Sequence, residues 1–395
     1  MKRQLLHTPE GVRDIYNDEC EKKMLLQDQL YHILRLHGYH PIQTPTFEFF
    51  DIFGREIGTT PSKDLYKFFD REGNTLVLRP DITPSIARCA AKYFGEEELP
   101  IRLCYMGNTF INNSSYQGRL KECTQLGAEL LGDPSVDADA EMISMVISCL
   151  KAAGLKECQL SIGHADFFRG LMEAAGLLEE QEEELRELIS NKNFFGVEEF
   201  VETLNLEENL KNLFGMLGNL YTGSDELSAA RECAASYPRI LKAIGDLEEL
   251  HKILEVYEVS RYVSFELGTI SNYQYYTGII FAGYTFGSGE AIVKGGRYDR
   301  LLTCFGKDSA SIGFAFVVDQ LMAALQRQKI DVPVERSVEL MVYKPAKRQT
   351  AITAAAAARA AGRCVELMLW DETKQKEDYE DYAARSRMIN VQFFA

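Results

Sequence analysis

The residues able to do chemistry concentrate in a few short stretches, the densest being CYMGNTFINNSSYQGRLKECTQLGAELLG, residues 104–132. Apolar and polar residues alternate at both ends, which predicts two strands. The Asn-, Ser- and Gly-rich middle predicts a tight turn. Gln125 and Glu129 are four apart, so on a strand both point to the same side. Arg119 and Lys121 stand beside the turn and add two positive charges to this polar stretch. Two further stretches carry polar groups. LVLRPDITPSIAR, residues 76–88, reads as a strand, a turn and a helix start, with Asp81 and Thr83 at the turn. ISNYQYYTG places Tyr275 and Tyr276 side by side, with Gly295-Gly296-Arg297-Tyr298-Asp299 downstream. Taken alone, Thr83-Pro84 reads as a helix cap and paired tyrosines on a strand read as core.

Regular elements must hold these groups in place. Residues 17–37 predict a helix with Asn17 or Asp18 as its cap, Leu26, Leu30, Ile33 and Leu34 as its apolar stripe, and Gly38 as its end. YHPIQTPTFEFFDIF follows, and its Pro45 argues for an edge or interface strand. After the hairpin, Ile143, Val146, Ile147 and Leu150 mark one face of a helix that Gly154 ends. CQLSIGHADFF reads as a strand with His164 at its end, a structural histidine rather than a base. From about 166 to 255 the pattern is almost wholly helical and acidic, its charge run a solvated face. Strand patterns return over 260–300, and ASIGFAFVVDQLMAAL predicts a strand running into a helix. QRQKIDVPVERS reads as a linker, and the remaining residues as β-α-β-α-β.

Composition narrows the function classes. Hydrophobic residues at 46% and charged residues at 26% describe a globular chain. No apolar run of about 18 residues is present, so no membrane span is expected, and a soluble cytoplasmic protein is the default. A net charge of −16 disfavours polyanion binding, so a nucleic-acid partner is not expected. Nine cysteines without C-x-x-C spacing predict reduced thiols. His32, His37 and His40 lack metal-site spacing, and no metal or cofactor is expected.

The hairpin resembles motif 2 of the class II aminoacyl-tRNA synthetases, most of all the histidyl enzyme. It keeps Phe110, Gly118, Arg119, Lys121, Glu122, Gln125, Gly127 and Glu129 of that pattern. The helix and Pro-bearing strand of residues 17–53 resemble motif 1, and Gly313, Phe314 and Ala315 resemble motif 3. Tyr275-Tyr276-Thr277-Gly278 and the G-G-R-Y-D run match the histidyl signatures. The resemblance implies an α+β fold: a class II synthetase-like antiparallel sheet flanked by helices in a core of residues 1–325, with a helical insertion at about 166–255. A linker at 326–336 and a small α/β C-terminal domain at 337–395 complete it. It also implies a homodimer through the motif-1-like region and a histidine pocket formed by Asp81, Thr83, Arg119, Gln125, Glu129, Tyr275 and Tyr276.

The same resemblance exposes three losses. Ile111, Ser271 and Gln320 stand where the synthetases place arginines on the ATP phosphates, and Asn113 and Gln274 replace acidic residues. No residue is therefore assigned a catalytic role. The scaffold without its arginines, ending in a short C-terminal domain with 9 Lys plus Arg against 8 Asp plus Glu over residues 337–395, resembles the regulatory subunits of ATP phosphoribosyltransferase. That resemblance implies a non-catalytic subunit that joins a short-form catalytic subunit of this glycosyltransferase in a hetero-oligomer for the first step of histidine biosynthesis, with L-histidine as feedback effector. The alternatives are a synthetase-like binding module for tRNA or another partner and an active histidyl-tRNA synthetase.

Overall fold

The computed structural model describes residues 6–54, 60–98, 100–113, 120–269, 276–334 and 337–395. The chain divides into two compact units, residues 1–332 and 333–395. Helix α1 (Asn17–Leu36) buries Leu26, Leu30 and Leu34, and Gly38 ends it in the left-handed region at φ +81°. Its start departs from the expected cap. Tyr16 occupies the N-cap position without a side-chain bond, and Asn17 is the first helical residue, at φ +51°. Acidic Asp18 and Glu19 instead complement the helix dipole, and Glu19 pairs with Arg13 at 2.5 Å.

The Pro-bearing segment splits in two. β1 (His40–Pro41) lies at the edge of the main sheet, and β2 (Phe47–Phe49), with β3 (Lys67–Phe69) and β4 (Thr75–Leu78), forms a small antiparallel sheet in the order β2-β4-β3. α2 (Thr83–Tyr93) follows. β5 (Ile101–Phe110) and β6 (Glu122–Leu131) form the long hairpin, and α3 (Val136–Ala152), β7 (Cys158–His164) and α4 (Ala165–Ala175) come next. The helical region continues through α5 (Glu179–Ser190), α6 (Phe194–Glu202), α7 (Glu208–Gly215), α8 (Ser228–Cys233) and α9 (Pro238–Val256). Within it, β8 (Leu220–Tyr221) joins the main sheet. Two residues are too short for their alternation to be visible in sequence. β9 (Val263–Glu266), β10 (Ile279–Thr285), β11 (Val293–Arg297), β12 (Ser311–Val317) and α10 (Val318–Arg327) complete the first unit, on which Ile330 and Val332 also pack.

The main sheet runs β1-β5-β6-β12-β11-β10-β7-β9-β8. Its central strands from β5 to β7 are antiparallel, with parallel pairs at β1–β5 and β7–β9. This is an α+β fold. Alternation divides the hairpin between two cores. Cys104, Leu126, Ala128 and Leu130 join the large core with α1 and α3, whereas Leu103, Tyr105 and Leu131 join Ile82 and Ile86 around α2. No helix among the described residues is long and apolar enough to cross a membrane, and all nine cysteines are free thiols.

In the second unit, three parallel strands, β13 (Val338–Tyr343), β14 (Cys364–Leu369) and β15 (Asn390–Phe394), lie in the order β14-β13-β15. Alternation along β13 sends Leu340 and Val342 towards Tyr379 and Ala383 of α12 (Lys376–Arg385). Met341 points the other way, towards Ala355 and Ala358 of α11 (Arg348–Ala360).

One buried ion pair ties the sheet to α3. Arg297 donates to Asp139 through Nε at 2.9 Å and Nη2 at 2.7 Å, and its remaining donors reach the Asp133 and Ser135 carbonyls. Arg297→Met strands a buried carboxylate, so it should cost about 3–5 kcal/mol in chemical denaturation. A loss below about 1 kcal/mol would show that the pair does not hold the sheet to the helix.

Candidate functional site

Register builds the site. Leu103, Glu129 and Gly313 lie side by side on β5, β6 and β12, and Gly313 pairs with Gly296 on β11. The next row on the same face contains Tyr105, Gly127, Ala315 and Lys294. Glu129 is the centre of this face. It is 1% exposed, accepts a hydrogen bond from the Thr83 hydroxyl at 2.7 Å on one oxygen, and from the Tyr298 hydroxyl at 2.5 Å on the other. A Cβ on Gly313 would stand 1.5 Å from Glu129 Oε2, so glycine is what leaves room for the carboxylate. Gly296 plays the same part for Tyr276, whose ring carbon would lie 2.8 Å from an added Cβ.

Burial pushes the Glu129 carboxyl up to about 8. The Tyr298 and Thr83 donors oppose the rise, and the Asp81 charge adds to it. Asp81 is raised as well, chiefly by burial, although the Ile82 and Thr83 amides pull the other way. Its Oδ1 accepts from the Ile82 amide at 2.7 Å and lies 3.5 Å from the Thr83 amide. Asp81 thus serves the first amides of α2. Thr83 does not cap: its hydroxyl is committed to Glu129, and the N-cap position belongs to Ile82.

Three buried polar atoms at the hairpin have no hydrogen-bond partner among the described residues: the Tyr105 hydroxyl, Gln125 Oε1 and Asn113 Oδ1. Thr83 and Glu129 lie beside the Tyr105 hydroxyl without completing a well-formed bond to it. Buried polar atoms are costly to leave unpaired, so Tyr105 and Gln125, on the same face as Glu129, mark where a ligand's polar groups would be met. Gln125 Oε1 needs a donor, such as an amine or imidazole N–H.

The structure brings Asp81, Thr83, Gln125, Glu129 and Tyr276 onto this face or its rim; Arg119, Tyr275 and Ser271 lie outside the described residues. Tyr276 is 7% exposed in the α2 core cluster, and its carbonyl accepts from Arg169 at 2.7 Å. Ile111 continues the hairpin, its amide donating to the Lys121 carbonyl at 2.9 Å. Gln320 lies in the first turn of α10, next to Asp319, which accepts from the Thr124 amide and Lys23, each at 2.7 Å. Two residues were not singled out from sequence. Tyr298 was visible only as part of its motif. Lys294, two before Gly296, was legible by strand alternation; it is exposed and has no hydrogen-bond or ion-pair partner among the described residues. No group of three or more potential metal ligands occurs among the described residues.

Comparison with known proteins agrees with this architecture. The histidyl-tRNA synthetase family profile matches residues 11–321. The ATP phosphoribosyltransferase regulatory subunit of Acetivibrio thermocellus is 41% identical over 365 residues, 92% of this chain and 86% of the relative. That of Ruminiclostridium cellulolyticum is 38% identical over 391 residues, covering 99% and 93%. A crystal structure described as an ATP phosphoribosyltransferase regulatory subunit/histidyl-tRNA synthetase from Bacillus halodurans superposes with a TM-score of 0.86 at 32% identity, covering 99% of this chain and 98% of that one.

The raised Glu129 carboxyl sets a pH test. Its folded value lies above the unfolded one, so its contribution to stability is fully present below about pH 4.5 and is lost as pH rises towards about 8. Glu129→Gln removes this term. The stability of the wild type relative to Glu129→Gln should therefore fall by up to about 1.4 kcal/mol per pH unit between pH 5 and 8. A difference that stays flat over this range would contradict the buried, raised carboxyl.

Proposed function

The chain belongs to the family of ATP phosphoribosyltransferase regulatory subunits, and we propose that it is a non-catalytic partner of a short-form catalytic subunit, relaying feedback by L-histidine. The observation that carries this reading is a contrast between the polar groups around Glu129 and the three positions where the resemblance places arginines. Among the described residues Glu129 keeps Thr83 and Tyr298 as its donors, with Tyr276 in the adjoining core cluster. The side that would meet ATP phosphates has Ile111 and Gln320 where the resemblance places arginines, and Ser271 at the third such position.

Amino-acid activation builds negative charge on the α-phosphate, and fixed guanidinium forks answer it. Removing one such donor costs about two to three orders of magnitude in rate. An isoleucine cannot donate at all. The losses need not add to leave activation disabled. Asp81, Thr83, Gln125, Glu129 and Tyr276 are not among the replaced positions, although the arginine that Ile111 replaces also meets the amino-acid carboxylate in the synthetases. In our reading the imidazole of histidine meets Glu129 and Tyr298, and its amino group meets Gln125 and the Asp81–Thr83 turn. Histidine acts at a distance only if it binds one assembly state more tightly than another.

Pairing with a second copy fits the small sheet. Phe47, Phe49 and Phe68 are 52%, 55% and 37% exposed and share one face of this sheet by register, an apolar patch beside the motif-1-like helix. A tRNA-binding role is not favoured by a net charge of −16 or by the near-neutral second unit.

The test is phosphoribosyl-ATP formation by a short-form catalytic subunit, with and without this chain, across a histidine titration. Activity should need both proteins and fall with histidine. Glu129→Ala should raise the histidine concentration for half-inhibition by about tenfold or more, the loss of one buried hydrogen bond. Activity and inhibition that ignore this chain would overturn the proposal. Phe49→Glu with Phe68→Glu should convert a dimer to a monomer in sedimentation; an unchanged mass would move the interface elsewhere.

A further inference from the structure

On the reverse face of the same strand ends lies a second cavity of about 380 Å³, within the usual range for small-molecule sites. Its walls come from the head of α3, from α4 and α9, and from residues 277–279 and 297–300. It shares these last two segments with the Glu129 site. Tyr276 and Tyr298 belong to the α2 core cluster on the Glu129 side, whereas Thr277, Arg297 and Asp299 line the second cavity.

The charge of this cavity runs against that of the chain. Five Arg and Lys side chains line it against four Asp, in a protein whose net charge is −16. The carboxylates are mostly committed. Asp139 is held by Arg297 at 2.7 Å, and Asp166 by Arg239 at 2.6 Å and Arg169 at 3.6 Å. Asp299 accepts from the Ser311 amide at 2.8 Å, and Asp246 faces His164 Nε2 at 3.4 Å. His164 Nδ1 accepts from the Asp166 amide, so the ring presents its Nε2 to Asp246. Two cations are left over. Lys242 on α9 and Arg300 after β11 have no hydrogen-bond or ion-pair partner among the described residues. Burial lowers the Arg169 pKa, Asp166 opposes this, and the neighbouring Arg239 and Arg300 charges lower it further. A bound anion would relieve that repulsion.

We propose that this cavity is a second ligand site, for a small phosphorylated molecule of the nucleotide or sugar-phosphate class, with Lys242 and Arg300 as its phosphate-binding cations. A guanidinium fork and an ammonium are the donors that phosphate oxygens need, and Asp246 is placed to accept from a sugar hydroxyl. The site is separate from the synthetase-like phosphate side, where Lys121 stands.

The experiment is calorimetric titration of the full chain with pyrophosphate, AMP and ribose 5-phosphate, adenosine serving as the uncharged control. At least one of the anions should bind and adenosine should not. The double variant Lys242→Ala/Arg300→Ala should weaken that binding by about tenfold or more, while Lys121→Ala leaves it unchanged. Both changed residues are exposed, and histidine titration of the same variant reports separately on the Glu129 pocket and on folding. Failure of all three anions to bind at millimolar concentration overturns the proposal. So does binding that survives the double variant, or that is lost in Lys121→Ala instead.

Discussion

A carboxylate with almost no access to water must be met by donors or give up its charge, and Glu129 sets this condition for the whole face. Its donors come from far apart in the chain, Thr83 at the head of α2 and Tyr298 just after β11. Holding them together requires the α2 turn to sit over β6, and β11 to be two strands away through β12. Gly313 leaves the space in which the carboxylate lies. A small set of positions thus ties the α2 core, the central strands and the G-G-R-Y-D run to one acid.

The same run divides its work between the two faces of the sheet. Arg297 points into the α3 side and is consumed by Asp139, while Tyr298 reaches Glu129. Alternation lets adjacent residues serve the ion pair on one face and the buried acid on the other without competing. The hairpin illustrates a different separation. Its backbone pairing continues through Ile111 and Lys121, so the geometry does not need the arginine that the synthetases carry there. Phosphate chemistry can be lost at such a position with little cost to the fold, which is the condition for a synthetase scaffold to serve regulation instead.

Local pattern made much of this legible. The stripe of α1, the helix end at Gly38, the strands of the hairpin and the β-α-β-α-β order of the second unit follow from periodicity and glycine placement. Gln125 and Glu129 share a face because they are four apart on a strand. What local pattern could not supply was partnership. Thr83 looks like a cap in isolation, and only the arrival of β6 gives its hydroxyl a better acceptor. Tyr298 is silent for the same reason, since Glu129 lies 169 residues away. The start of α1 misled because acidic first-turn residues and the Arg13–Glu19 pair take over from a side-chain cap. The cavity behind the strand ends was invisible, because its charges come from α4, α9 and the end of β11 and meet only in the fold.

The central claim is that the amino-acid half of a synthetase site persists without the chemistry of activation. Histidine-dependent ATP–pyrophosphate exchange tests it most directly. The account predicts no exchange above background at saturating histidine and magnesium-ATP, in protein that is folded. Exchange that rises with histidine and disappears in Glu129→Ala would contradict it, and would return the chain to the catalytic synthetases.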